Sequence, residues 1–259
     1  MKSEHNNMCY QAKKIEKDVI VITEGMVQFY LVCGEKKTLL IDTGIGGGSL
    51  REFVSRLSDK PLIVANTHGH FDHVGADGQF DIVYVNSRDW ELLKRSTYID
   101  RTELRDLKEG TVLDLGGRQL EVKEVPGHTP GSVLFLDREN RIVFCGDYVS
   151  DKTVFLSFDE SSPEDYILSL EKIISLKADA DYLMGCHGKI YQSFSQAESL
   201  KKCTEATLKG LIIPIYEKVY DDSMQAKYSL GDASIYAPYD IVTDKSILSG
   251  ETCKNEKKR

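Results

Sequence analysis

Thr67-His68-Gly69-His70-Phe71-Asp72-His73 is the stretch whose reading decides both fold and chemistry. The chain has six histidines, and three of them stand here beside an aspartate. On composition alone such a cluster arises by chance in about a few cases in ten thousand, so it calls for a chemical reading. A lone histidine is ordinarily a satisfied surface or core imidazole, and His5 is read that way. Three close together repel once protonated, so they are expected to stay neutral or to hold a cation. In an extended segment residues two apart point the same way, so His68 and His70 can chelate one ion with Asp72 alongside. His73, one position on, turns towards a second. Borderline metals such as zinc take imidazole nitrogen and carboxylate oxygen together. Two ions need more than four ligands, which predicts further His, Asp or Glu at strand ends elsewhere.

Outward from the cluster, residues 61–66 form an apolar strand that delivers the chain into it. Upstream, 18–23, 27–33 and 38–42 read as successive strands, rich in Val, Ile and Leu. The run Gly44-Ile45-Gly46-Gly47-Gly48 turns the chain, and Leu50, Phe53, Val54 and Leu57 follow on one helical face. Downstream, 81–85 is a short strand, and Ser87 is expected to cap a helix through Trp90, Leu93 and Lys94. Strands follow at 111–115, 119–125, 132–137 and 141–145. Ser162-Pro163-Glu164-Asp165 has the cap residue, first-turn proline and early acids of a helix start. A strand at 182–185 and a helix at 198–209 complete the pattern, while 216–239 shows only weak alternation. Strands alternating with helices in two similar halves predict an α/β layered domain.

Three segments answer the demand for more ligands. His128 sits in a turn fixed by glycine and proline, Pro126-Gly127-His128-Thr129-Pro130-Gly131-Ser132. Asp147 follows an apolar strand in Phe144-Cys145-Gly146-Asp147, and His187 does so in Gly185-Cys186-His187-Gly188.

Taken together, these motifs and the earlier Leu40-Ile41-Asp42-Thr43-Gly44 resemble the metallo-β-lactamase superfamily over roughly residues 18–209. The resemblance implies a four-layer αβ/βα sandwich, two mixed β-sheets flanked by helices. It implies that His68, His70 and His128 hold a first divalent metal ion and that Asp72, His73 and His187 hold a second. Asp147 would bridge both, and Asp42 would orient a ligand imidazole. Zinc is the expected metal, with iron or manganese as alternatives. Water shared by two such cations is acidic enough to supply hydroxide near neutral pH, so Asp72 and Asp147 count as catalytic and no protein nucleophile is required.

The β-lactamases of this superfamily place a cysteine where this chain has Asp147, which directs the reading to the glyoxalase-II-like and lactonase-like branch. Ligand intervals of 60, 19 and 40 residues suit that branch. The basic residues by which glyoxalase II recognises its glutathione thioester have no counterpart here. Tyr148 also stands where the family usually has a small or hydroxyl residue. Tyr148 and Tyr191 are candidate substrate contacts, though packing is the plainer role for each. The expected activity is hydrolysis of a small-molecule ester, thioester or lactone. An iron-dependent sulfur dioxygenase, a phosphodiesterase and a non-catalytic metal-binding protein are the alternatives.

Composition narrows the partners. With 33 Lys+Arg against 41 Asp+Glu the formal charge is -8, which disfavours a nucleic-acid partner. No run approaches the roughly 20 apolar residues of a membrane span. The cysteines Cys9, Cys33, Cys145, Cys186, Cys203 and Cys253 form no Cys-x-x-Cys pair, and the first twenty residues hold no apolar run of signal-peptide length. Reduced thiols in a cytoplasmic protein are expected. Residues 1–210 are read as the catalytic domain. Residues 211–259 are read as an extension packed on it, ending in a frayed basic tail (Lys254, Lys257, Lys258, Arg259) and compatible with a homodimer.

Overall fold

Strands whose successive residues serve two different cores build most of the molecule. The structure, a computed structural model, describes residues 10–219 and 223–238; His5 and the basic tail lie outside them. Gln11–Lys14 (β1), Val19–Glu24 (β2), Val27–Cys33 (β3) and Thr38–Ile41 (β4) pair antiparallel in chain order. Leu62–Ala65 (β5), Ile82–Val85 (β6) and Glu103–Asp106 (β7) then add in parallel, giving a seven-stranded mixed sheet. Parallel addition needs crossovers. Leu50–Ser55 (α1) supplies one, Phe71–Val74 (α2) lies in the next, and Trp90–Ser96 (α3) supplies the third.

Val112–Asp114 (β8), Gln119–Glu124 (β9), Val133–Asp137 (β10) and Ile142–Gly146 (β11) form an antiparallel meander. After the two-residue strand Val154–Phe155 (β12) and the crossover helix Pro163–Ser175 (α4), Tyr182–Gly185 (β13) joins β11 in parallel. Tyr191–Gln192 (β14) closes this six-stranded sheet. Ser162 caps α4 as expected, its side chain accepting from Asp165 N at 3.2 Å.

Alternation explains the layers. Val21, Tyr30, Leu39, Phe135, Phe144 and Met184 pack between the two sheets. Their neighbours Ile22, Phe29, Leu31 and Leu40 point the opposite way and bury Leu50 and Val54 of α1. Leu134, Leu136, Val143 and Leu183 likewise cover Tyr166, Leu170 and Ile173 of α4. The order is helix, sheet, sheet, helix: the αβ/βα sandwich that the resemblance implied.

The chain continues into Phe194–Leu208 (α5), which starts four residues earlier than expected because Ser193, rather than a later residue, accepts from Gln196 N at 3.1 Å. Ile215–Lys218 (β15), Met224–Leu230 (β16) and Ala233–Tyr236 (β17) then form a third sheet, ordered β12-β17-β16-β15. Ala226, Tyr228 and Ile235 of that sheet share a core with Leu200 and Cys203 of α5. A second departure concerns the start of α3. Asn86, not Ser87, is the capping residue; it accepts from Arg88 N at 3.1 Å and opens a 3-10 turn that leads into the helix.

Candidate metal centre

Five of the seven expected ligands lie just past the end of a strand, and Asp72 and His73 lie on the short helix α2. His68 and His70 follow β5, His128 follows β9, Asp147 follows β11 and His187 follows β13. The parallel pairs β4/β5 and β11/β13 direct their following loops to one edge of the sandwich. There the side chains converge in two sets. One ring nitrogen from each of His68, His70 and His128 lies within 4.8 Å of the others, and so do a carboxylate oxygen of Asp72 and one ring nitrogen each of His73 and His187. Asp147 stands between the sets, its carboxylate 3.2 Å from His73 Nε2, 3.4 Å from His187 Nε2 and 3.6 Å from His128 Nε2.

The imidazoles are held from behind. His73 Nδ1 lies 2.9 Å from Asp42 Oδ2, His128 Nδ1 is 2.8 Å from Phe155 O, and His187 Nδ1 is 3.2 Å from Met26 O. Thr67 Oγ1 donates to Asp42 Oδ2 (2.8 Å), so it accepts from His68 Nδ1 (3.0 Å). All four rings therefore keep Nδ1 protonated and present Nε2 to the centre, the arrangement that orients metal-ligating histidines. His70 is reversed. Its Nδ1 is 3.0 Å from His128 Nε2, and its Nε2 is 3.3 Å from Glu160 Oε1.

Electrostatically the two halves differ. Burial pushes His68 well below the ordinary histidine range and His128 down to about 4, and neighbouring imidazoles add to both shifts. On the other side burial also opposes charge, but carboxylates outweigh it. Asp147, Asp72 and Asp42 hold His73 well above its ordinary value, and Asp147 and Asp72 raise His187 to about 10. Burial would likewise raise Asp147, yet His187 and His73 hold its carboxyl well below the usual range. His68 and His128 are thus neutral imidazoles, and the second half is an ion-paired cluster.

The donors fit divalent metal. His68 Nε2 is buried without a hydrogen-bond partner, and His73 Nε2 and Asp147 Oδ1, buried 3.2 Å apart, face each other as an ion pair without a well-aligned hydrogen bond. Native proteins satisfy about nine in ten buried polar atoms, so an unpartnered Nε2 on His68, whose ligand atom lies within 4.8 Å of those of His73 and Asp147, fits a place for a cation. A further grouping of Asp42, His73 and Cys186 is explained without one. There His73 Nδ1 is spent on Asp42, and the Cys186 thiol donates to the same carboxylate at 3.6 Å.

Asp42, expected to orient a ligand, touches more than one. Besides His73 it accepts from Thr67 N (2.7 Å) and Thr67 Oγ1, so it steadies both halves. Its φ of +64° lies in the left-handed region, strained for a residue with a Cβ. Behind it, Glu24 accepts from the backbone of Ile45 (2.7 Å), Gly46 (3.1 Å) and Gly47 (2.6 Å) and pins the glycine-rich loop.

Of the two candidate tyrosines, Tyr148 takes the packing role: its ring is fully buried against Tyr166, and its hydroxyl accepts from His128 N at 3.4 Å. Tyr191 is exposed, and its ring lies 5.2 Å from that of Tyr182 at the start of β13. Residues that the sequence reading missed are Glu160 and Asp89. The latter is a fully buried carboxylate that accepts from Gly69 N (2.9 Å), Thr129 Oγ1 (2.6 Å) and Gly131 N (2.7 Å).

An αβ/βα sandwich with a histidine–aspartate cluster at one edge defines a class of metal-binding proteins. Residues 22–185 match the family model described as the metallo-beta-lactamase superfamily, and the chain belongs to that superfamily. Among curated proteins it is similar to acyl-coenzyme A thioesterase MBLAC2 of Gallus gallus, 31% identical over 57% of this chain and 66% of that one. The Homo sapiens protein of the same name is 32% identical over 57% and 67%. Hydroxyacylglutathione hydrolase GloC of Haemophilus influenzae is 29% identical over 60% and 81%. The match thus spans about two thirds of the thioesterases' own length. In fold, the chain resembles a metallo-beta-lactamase from Pontibacter korlensis, with TM-score 0.65 and 20% identity over 76% of this chain and 99% of that one.

Proposed function

We propose that this protein is a metal-dependent hydrolase that cleaves a small-molecule acyl thioester. The observation that carries the reading is the meeting of two donor sets at Asp147, which faces His73, His128 and His187 within 3.6 Å. His68, His70 and His128 would hold one divalent ion, Asp72, His73 and His187 a second, and Asp147 would face both. Imidazole and carboxylate donors suit zinc. When bound, the ions supply Lewis-acid activation of the carbonyl and a water acidic enough to attack near neutral pH.

The chain's own residues support a water nucleophile. Burial raises the Cys145 thiol to about 12 and the Cys186 thiol well above its ordinary value, so neither is a thiolate at neutral pH. Every histidine of the cluster is turned to the centre or to an anchoring group, which leaves none to activate a serine. Thioesters are favoured by the names of the relatives, an acyl-coenzyme A thioesterase and a hydroxyacylglutathione hydrolase. Exposed apolar side chains at the ligands add to this. Phe71 stands between His70 and Asp72, the Phe158 ring is 4.8 Å from that of His70, and the backbone of Met26 anchors His187. Such a rim suits an apolar acyl group.

The test is a panel of acyl-coenzyme A and acylglutathione thioesters, a lactone and a phosphodiester, offered to protein with and without metal. Thioester cleavage that chelation abolishes and zinc restores is expected. Oxygen uptake with one iron per chain, and no hydrolysis of any panel member, would overturn the proposal.

A further inference from the structure

The two metal half-sites share Asp42 and Asp147, but only one of them leans on Asp89. Asp89 is the residue just before α3, with its side chain fully buried. One oxygen accepts from Gly69 N, between His68 and His70, and from Thr129 Oγ1, beside His128; the other accepts from Gly131 N in the His128 turn. A single carboxylate therefore ties the two backbone segments that carry His68, His70 and His128. Sequence separations of 20, 40 and 42 residues make these tertiary links rather than local turns. The fit is close on both sides. A Cβ built on Gly131 would lie 2.6 Å from the Asp89 carboxylate, and one on Gly69 would lie 3.2 Å from Asp89 Cβ. No hydrogen bond from Asp89 reaches Asp72, His73 or His187, whose anchors are Asp42 and Met26.

We infer that Asp89 is a positioning residue that fixes the spacing of His68, His70 and His128 and so sets the metal affinity of that half-site alone. The inference rests on the proposed two-ion centre but not on the substrate. Three donors converge on two oxygens, a load that only a carboxylate carries. An amide keeps one acceptor oxygen and turns an NH2 group towards backbone donors.

The experiment is titration of the metal-free full-length chain with zinc, or with cobalt followed by its visible absorption, for wild type, Asp89→Asn and Asp89→Glu. Circular dichroism and thermal melting confirm that each variant is folded. In Asp89→Asn the affinity of one ion falls about 10- to 100-fold, as loss of a group supporting a ligand typically causes, while the other keeps its wild-type affinity. Asp89→Glu recovers part of the loss because the charge is kept. Wild-type affinity for both ions in folded Asp89→Asn would overturn the inference, and so would an equal loss at both. Absence of thioesterase activity in wild type would count against the proposed function and leave this measurement intact.

Discussion

At the residue scale the centre is a contest between burial and charge, and its sign can be followed with pH. His187 has its pKa raised to about 10 in the metal-free fold, against 6.5 in the unfolded chain. It contributes stability that is fully present below pH 6.5 and lost as pH rises through about 10. His128 is depressed to about 4, so its contribution is present above pH 6.5 and lost as pH falls through about 4. Thermal melting in a chelator should therefore peak near pH 6.5 and decline on both sides, the alkaline limb reaching to pH 10. A flat profile between pH 6.5 and 10 would refute the charged state assigned to His187. Metal must displace the same protons, so zinc binding at pH 8 should release protons to buffer, measurable by calorimetry in buffers of different ionisation enthalpy.

At the element scale, short turns with demanding backbones aim the ligands. Gly127 precedes His128 with φ +137°, and a Cβ there would lie 2.3 Å from the backbone nitrogen of Tyr166 in α4. Gly127→Ala should destabilise the fold by more than about 1 kcal/mol, because alanine meets both a disfavoured φ and a backbone clash. Equilibrium denaturation measures this, and an unchanged midpoint would contradict it. The same scale shows what was legible beforehand. The ligands could be read because His68 to His73 are a local pattern and the other three follow strands or fixed turns. The main strands could be read because alternate residues face two cores. Asp89 could not, since nothing in Asn86-Ser87-Arg88-Asp89 announces partners 20 to 42 residues away. Strands of two residues, β12 and β14, are too short for any periodicity. Tyr148 looked available only because its position beside Asp147 says nothing about which way the chain turns at Gly146, where φ is +53°.

At the scale of the whole molecule, the segment after residue 210 reaches the centre through the third sheet. β17 pairs with β12, and Leu156 N donates to Tyr236 O at 2.8 Å. β12 in turn carries Phe155, whose carbonyl holds His128 Nδ1. Truncation after Gly210 should uncover Leu200 and Cys203 of α5, lower the melting temperature and weaken metal binding at the His128 half. A truncated chain with wild-type melting and metal content would show that the segment is dispensable. Among the described residues no helix is long and apolar enough to cross a membrane. The central claim is that seven side chains form one two-ion centre with Asp147 common to both halves. Metal analysis of wild type and Asp147→Ala, each loaded with zinc and then desalted, tests it most directly. Two zinc ions per wild-type chain, and fewer than two in folded Asp147→Ala, are the predicted result. One ion in wild type, or two held equally tightly without Asp147, would contradict it.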